Sequence, residues 1–294
     1  MTLNLKIPYV SIIIPVKNEG IHIQNTLHSI FQVKSKYSFE VIVIDDASTD
    51  GCCDFLVNNQ LFKINLVRTK GVGVANAKNI GAQYAKGQFL IFCDAHIIFE
   101  DYWIDQLIQP ILDGVANGVS PGIADTKAPN NVGYGQSLNE HLGVIWHLNK
   151  GEIFPTAVLP GGCCAISKYV FNNIGGFDRG FRVWGFEDVE ISMKLWLFGY
   201  TCYIEPKVKI LHVFREQTPY QVSHEHVYFN MLRMAYNHFN EERIERCRKL
   251  IGNHRISSIE PVVLASGVLS QRHVYFARRK RDDDWYMNFF NIPF

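Results

Sequence analysis

This 294-residue chain is short of three things: net charge, long apolar runs and paired-cysteine motifs. Its 29 basic and 28 acidic residues nearly cancel, which gives no charge-based reason to expect a nucleic-acid partner. The basic run Arg278-Arg279-Lys280-Arg281 is followed at once by Asp282-Asp283-Asp284 and reads as a solvated surface segment. No stretch approaches the roughly 18 apolar residues of a membrane span, so no integral membrane segment is expected. Met1 to Pro8 carries one Lys and no apolar h-region, so no signal peptide is expected. The seven cysteines are odd in number, include the neighbours Cys52-Cys53 and Cys163-Cys164, and form no C-x-x-C. They read as reduced thiols of a cytoplasmic protein without a zinc ribbon. Internal repeats and low-complexity tracts are also missing.

What is present is a strand–helix alternation. Val10 to Ile14, stopped by Pro15, Glu40 to Ile44, stopped by Asp45-Asp46, Ile64 to Val67 and Gln88 to Cys93 are short, β-branched or aromatic runs of the kind buried on both faces of a sheet. Helical patterns fall at Ile21–Phe31, Cys53–Asn58, Val74–Ala85 and Trp103–Leu112. The alternation predicts a parallel, doubly wound α/β sheet. The Gly-, Asn- and Pro-bearing stretch from about 120 to 155 reads as loops over a cleft, and the tail from about 221 as mostly helical.

Ligands of such sheets bind beyond the carboxyl ends of the strands. Lys17-Asn18-Glu19, Asp45-Asp46 and Asp94-Ala95-His96 all fall there. Asp94 and His96 are two apart, so an extended backbone projects both to one face. A lone D-x-H is more often a cap and a satisfied core histidine. His212, on the β-like run Lys207 to Phe214, adds a third ligand for a mixed oxygen and nitrogen site that suits Mn²⁺, with Mg²⁺ as the alternative. Asp46 can accept from an imide N–H or cap a turn. Gly71-Val-Gly73-Val-Ala-Asn76 lacks the third glycine of a dinucleotide fingerprint. Lys78, in the helix after it, reaches a phosphate or base, or lies on a solvated helix face. Glu187 and Asp188 open a helical pattern; the helix dipole alone favours acids there, and a general base is the functional alternative. Trp184 is a sugar platform or a core aromatic.

In this order the pieces resemble a glycosyltransferase of the GT-A fold. Val-Ser-Ile-Ile-Ile-Pro-Val-Lys-Asn-Glu19 and Val-Ile-Val-Ile-Asp-Asp-Ala-Ser-Thr-Asp50 are similar to the large glycosyltransferase family 2. Asp94-Ala-His96, Pro-Gly-Gly162, Val-Trp-Gly-Phe-Glu-Asp-Val-Glu-Ile-Ser192 and His-Val-Phe-Arg-Glu-Gln-Thr-Pro-Tyr220 resemble the polypeptide N-acetylgalactosaminyltransferases. The resemblance covers roughly 9–113 and 157–220. It implies a Rossmann-like, doubly wound mixed sheet over 1–220, with a mostly helical C-terminal extension over 221–294. It implies Asp94, His96 and His212 as ligands of Mn²⁺ and Asp188 with Glu187 as the catalytic pair. It implies Pro15, Val16, Glu19, Asp46, Lys78, Asp94, Ala95, Gly161, Gly162, Trp184 and Arg215 as donor-binding residues. Neither the membrane anchor nor the lectin domain of those transferases is recognisable in these residues. They also carry Asn where this chain has Asp188.

The expected activity is metal-dependent transfer of a hexose or N-acetylhexosamine from a UDP-sugar to a hydroxyl or thiol. A peptide or protein acceptor is expected on the second-half resemblance alone, and inversion is favoured because a carboxylate at 188 can take the acceptor proton. Saccharide or small-molecule acceptors, a nucleotidyltransferase, and a nucleotide-sugar-binding module without turnover are the competing readings.

Overall fold

The computed structural model describes residues 7–57, 64–215 and 217–294. Strand β1 (Val10–Val16) lies between β2 (Phe39–Asp46) and β4 (Phe89–Cys93), and β3 (Ile64–Thr69) extends the sheet beyond β2. These four are mutually parallel. Their side chains alternate between two covers. Ile12 and Ile14 join Ile23, Leu27 and Ile30 of helix α1 (His22–Gln32) in one buried cluster, while Ile13 joins Ala75 and Ala77 of α2 (Val74–Tyr84) in the other. Helix α3 (Trp103–Leu112) contributes Trp103, Ile104, Leu107 and Ile108 to the α1 side. Period-2 strands between period-3.6 helices thus close a two-sided core.

The second half is mixed. After β5 (Ile97–Ile98) come β6 (Gly118–Asp125), β7 (Ala128–Gly133), β8 (Gln136–Leu138), β9 (Val144–Trp146), β10 (Phe154–Pro155), β11 (Cys163–Ser167) and β12 (Cys202–His212). The main sheet runs β10-β12-β6-β11-β4-β1-β2-β3, with β5 on β12 and β7 on β6. β11 is antiparallel to both β4 and β6, and β12 is parallel to β6. β8 and β9 form a separate hairpin.

Three local expectations need correction. The stretch 120–155 holds β7 to β10 and most of β6 rather than loops alone. Two of its glycines allow close approach: a Cβ on Gly122 would meet the Tyr134 ring at 2.5 Å, and one on Gly133 would meet the Trp146 ring. Pro121 sits opposite Glu205, where the β6–β12 register shifts, so its missing N–H falls at an irregularity. At 53–58 the described part holds only a 3-10 turn, Asp54–Leu56, and Asn58 lies outside the described residues. Finally, β1 runs through Pro15 to Val16 and β2 through Asp45 and Asp46. β1 pairs with β4 only as far as Ile13, so Pro15 breaks no ladder there.

Helices α4 (Lys168–Asn173) and α5 (Glu187–Leu197) lie in the second half, and α6 (His224–His238), α7 (Glu241–Ile251), α8 (Asn253–Ala265), α9 (Val268–Arg278) and α10 (Asp283–Phe289) make up the tail. Ser223 caps α6 by accepting from the His226 N–H, and Asn240 caps α7 in the same way. The tail helices share one buried cluster with α5 and the sheet. Buried polar ties cross it: Glu190 meets Lys194 at 3.1 Å and His238 at 2.8 Å, and Arg233 meets Asp178 at 3.0 Å.

Candidate active site

The carboxyl ends of β1, β2 and β4 open onto one cavity of about 620 Å³. Pro15, Val16, Glu19, Asp46, Asp94, Ala95, His96, Gly161, Gly162, Trp184, Glu187, Asp188, His212 and Arg215 all line it. Lys78 does not: it is 2% exposed and its ammonium sits 3.5 Å from Glu187.

Register brings the two histidines together. β12 runs antiparallel to β5, with His212 opposite Ile97, and the Val213 N–H donates to His96 O at 3.0 Å. The rings meet edge-on with centroids 4.5 Å apart. Nε2 of His212 is 3.2 Å from Asp94 Oδ2, and Nε2 of His96 is 4.0 Å from the same oxygen. One donor atom from each of the three residues falls within 4.8 Å of the others. On its far side His96 Nδ1 faces Glu19 Oε2 at 3.0 Å, and Arg215 donates to that same oxygen. A carboxylate behind a histidine fixes its tautomer and aims the other nitrogen forward, as around bound metals. His212 Nδ1 is buried and has no partner among the described residues. The donor set of one carboxylate and two imidazoles, with one imidazole oriented from behind, fits a divalent ion of the Mn²⁺ class.

Electrostatics sort the acids. Burial pushes the Asp94 carboxyl up, but the His212 hydrogen bond and the charges of His96 and His212 outweigh it and hold it well below the usual range. For Glu19, His96 and Arg215 likewise outweigh burial. Asp188 goes the other way: burial and the neighbouring Glu187 push it up to about 6 against the pull of Lys78. A carboxylate with a pKa near the operating pH is a competent proton acceptor.

Asp46 is engaged by its own chain. It accepts from the Thr69 hydroxyl, from Val72 N–H at 2.6 Å and from Gly73 N–H at 2.9 Å, tying β2 to the start of α2. Gly161 and Gly162 leave room for their neighbours. A Cβ on Gly161 would stand 3.2 Å from Asp188 Oδ2, and one on Gly162 would stand 3.3 Å from the His212 ring. Trp184 is half-exposed on a strained turn, where Val183 (φ 41°) and Phe186 (φ 64°) are left-handed without being glycine. Of seven such residues among those described, Val183, Phe186 and Leu142 line the cavity, and Asn18 and Ala47 adjoin lining residues. Such residues cost backbone strain that persists only where the surroundings hold it, which makes this cavity the candidate functional site.

Sequence reasoning assigned no role to several wall residues. Gln136, Leu142, Val144 and Trp146 come from the β8–β9 hairpin, and Phe214 and Tyr220 from the segment after β12. The apolar triplet Val144-Ile145-Trp146 is the local sequence trace of the hairpin, and it is too short to show a period. Tyr220, beside Lys17 at 5.7 Å, is pushed above its ordinary range by burial and by Glu187. His224, His226 and Tyr228 are not among the lining residues.

The chain is 29% identical over 259 residues to polypeptide N-acetylgalactosaminyltransferase 11 of Xenopus tropicalis, covering 78% of this chain and 42% of that protein. To polypeptide N-acetylgalactosaminyltransferase 8 of Drosophila melanogaster it is 29% identical over 234 residues, covering 72% and 39%. The chain therefore spans about two fifths of the length of these curated relatives. The fold is that of GalNAc-T7, solved with UDP, GalNAc and Mn²⁺, at a TM-score of 0.73 and 22% identity over 97% of this chain and 57% of that one. A mannosyltransferase from Pyrobaculum calidifontis, solved with GDP-Man and Mn²⁺, superposes at 0.56 and 19% identity over 92% and 74%. The pattern described as the N-terminal domain of galactosyltransferase matches residues 149–225. The pattern of glycosyl transferase family 2 matches residues 11–175; since that is more than half of the chain and includes the ends of β1, β2 and β4 on which the cavity is built, the chain belongs to glycosyl transferase family 2.

Proposed function

We propose that this chain is a metal-dependent glycosyltransferase that moves a hexose or N-acetylhexosamine from a UDP-sugar to a hydroxyl or thiol of a peptide or protein, with inversion. The observation that carries this reading is the meeting of Asp94, His96 and His212 with Asp188 in one cavity. Similarity to polypeptide N-acetylgalactosaminyltransferases supports the donor and acceptor classes.

Asp94, His96 and His212 would hold Mn²⁺, which supplies charge neutralisation for a nucleoside diphosphate. Arg215 stands beside the same cluster and adds a fixed positive charge. Asp46, Pro15 and Val16 line the nucleotide end, and Gly161 and Gly162 let the donor approach the backbone. Trp184 gives the sugar an aromatic face. Asp188 takes the acceptor proton as its oxygen or sulfur attacks the anomeric carbon opposite the departing UDP; such general-base help is typically worth about 10²–10⁴-fold.

Calorimetric titration of UDP with Mn²⁺ and then with chelator tests the reading. Affinity should collapse on chelation. Metal-independent binding would remove the assigned role of the histidines, and no binding in either condition would overturn the reading.

We further read the compartment as reducing and cytoplasmic, supported by seven free, buried cysteines. Quantitative alkylation of all seven in denatured, unreduced protein from its native source is expected.

A further inference from the structure

Beneath the cavity floor lies a charge that the proposed chemistry does not use. Lys78 is in the second turn of α2, fully buried, with its ammonium 3.5 Å from Glu187 Oε1 and 5.3 Å from the centre of the Phe177 ring. Glu187 in turn accepts the Gly185 N–H on Oε2 at 3.2 Å. Its two oxygens therefore face an ammonium on one side and the strained Val183–Phe186 turn on the other. That turn is tied to α2 a second time, since the Val74 N–H donates to Val183 O at 2.9 Å. It also packs against α2 closely: a Cβ on Gly73 would fall 2.8 Å from Val183 N. Asn230 of α6 holds the turn from outside through Arg182 O, Trp184 O and Gly185 O.

We propose that Lys78 is a positioning residue: its buried ammonium is the counter-ion that fixes Glu187, and through Glu187 the turn that presents Trp184 and delivers Asp188 to the cavity. This rests on the transferase reading above for its consequence in turnover, but the pairing itself stands on geometry. A buried carboxylate must be paired or give up its charge. Without Lys78, Glu187 takes up a proton or swings toward water, and either response releases the Gly185 N–H. Lys78 is thereby distinguished from a donor-contacting lysine, because it reaches no wall of the cavity.

The groups that face Asp188 are Glu187 on its own helix, Lys78 from α2 and Cys164 from β11, while Asp94 at the end of β4 faces Lys78 and Tyr220 faces Glu187 from the segment after β12. Lys78 is the cation among them. Its removal takes away the cation that holds Asp188 down, so Asp188 binds its proton at higher pH.

The experiment is a cycle of Lys78→Met, Glu187→Gln and the double variant, with Lys78→Arg beside them. Thermal unfolding and UDP affinity are read first, and then the pH profile of UDP release from a UDP-sugar that the wild type turns over. Lys78→Met is expected to lower kcat at least tenfold, change UDP affinity less than threefold, and move the acid limb upward by about one pH unit. The double variant is expected to unfold at a higher temperature than Lys78→Met and to return the acid limb to near the wild-type position, and Lys78→Arg to keep most of kcat. If Lys78→Met does not fold, the double variant decides: a folded, UDP-binding double variant supports the pairing, and one that fails to fold overturns it. Additive unfolding effects with no recovery in the double variant, or a Lys78→Met enzyme within twofold of wild type at every pH, overturn the proposal. A wild type that neither binds UDP nor turns over any donor sinks the transferase reading instead, and the unfolding cycle alone then judges the pairing.

Discussion

Glu19 stands behind His96: the carboxylate oxygen is 3.0 Å from Nδ1, on the side of the ring away from Asp94. A ligand aimed in this way loses its preferred tautomer when its partner is removed. Glu19→Gln should weaken Mn²⁺ binding about 10- to 100-fold, read by calorimetry with the ion alone, whereas His96→Ala should abolish it. Equal affinity in Glu19→Gln and wild type would leave Glu19 as a partner of Arg215 only.

Asp188 sets a pH dependence. In its proposed role it must be ionised to accept a proton, and burial with Glu187 brings its pKa to about 6. Turnover should therefore fall as pH drops through about 6, and Asp188→Asn should lose about 10²–10⁴-fold at pH 8 while UDP still binds. Stability carries the opposite sign for this group. Between the unfolded value of 3.8 and the folded value of about 6, the folded state binds more proton than the unfolded chain, so this term falls as pH rises through the window. Asp188→Asn should accordingly be at least as stable as wild type above pH 6, checked by urea unfolding.

Gly161 tests packing against the same carboxylate. An added methyl would stand 3.2 Å from Asp188 Oδ2, tighter than an ordinary contact. Gly161→Ala should cut turnover about 10- to 100-fold through misplacement while leaving the fold intact. Near-wild-type kcat would show that Asp188 moves aside freely.

The Glu190–Lys194–His238 network joins α5 to α6 in the core. Lys194→Met leaves the buried Glu190 carboxylate with His238 as its remaining partner and should cost about 3–5 kcal/mol in urea unfolding. Burial raises the Glu190 carboxyl, but Lys194 and His238 outweigh it and leave it depressed. Its stabilisation is therefore complete above the unfolded value of 4.5 and is lost as pH falls through the lower folded value. An acid transition unchanged in Glu190→Gln would contradict that assignment.

The legible parts of this chain were those with short-range periodicity. Ile12, Ile13 and Ile14 announce a strand covered on both faces, and the two-residue spacing of Asp94 and His96 puts both on one side. His212 could be suspected from a β-like run, but its register opposite Ile97 is a tertiary fact. β6 was illegible because its glycines and Pro121 answer to neighbours, such as Tyr134, that are distant in pattern if not in sequence. Lys78 was read as a phosphate or base contact or as a surface residue because nothing local shows that a helical lysine points inward to Glu187. The Trp146 hairpin was hidden for a related reason: a three-residue strand is too short to show a period.

The left-handed residues around the cavity imply a trade-off. Val183 holds a backbone conformation that a β-branched residue disfavours, so a glycine there would relieve the backbone locally. Such a chain would tolerate heat at least as well and hold Trp184 less firmly. Stability and firm presentation of Trp184 therefore pull position 183 in opposite directions.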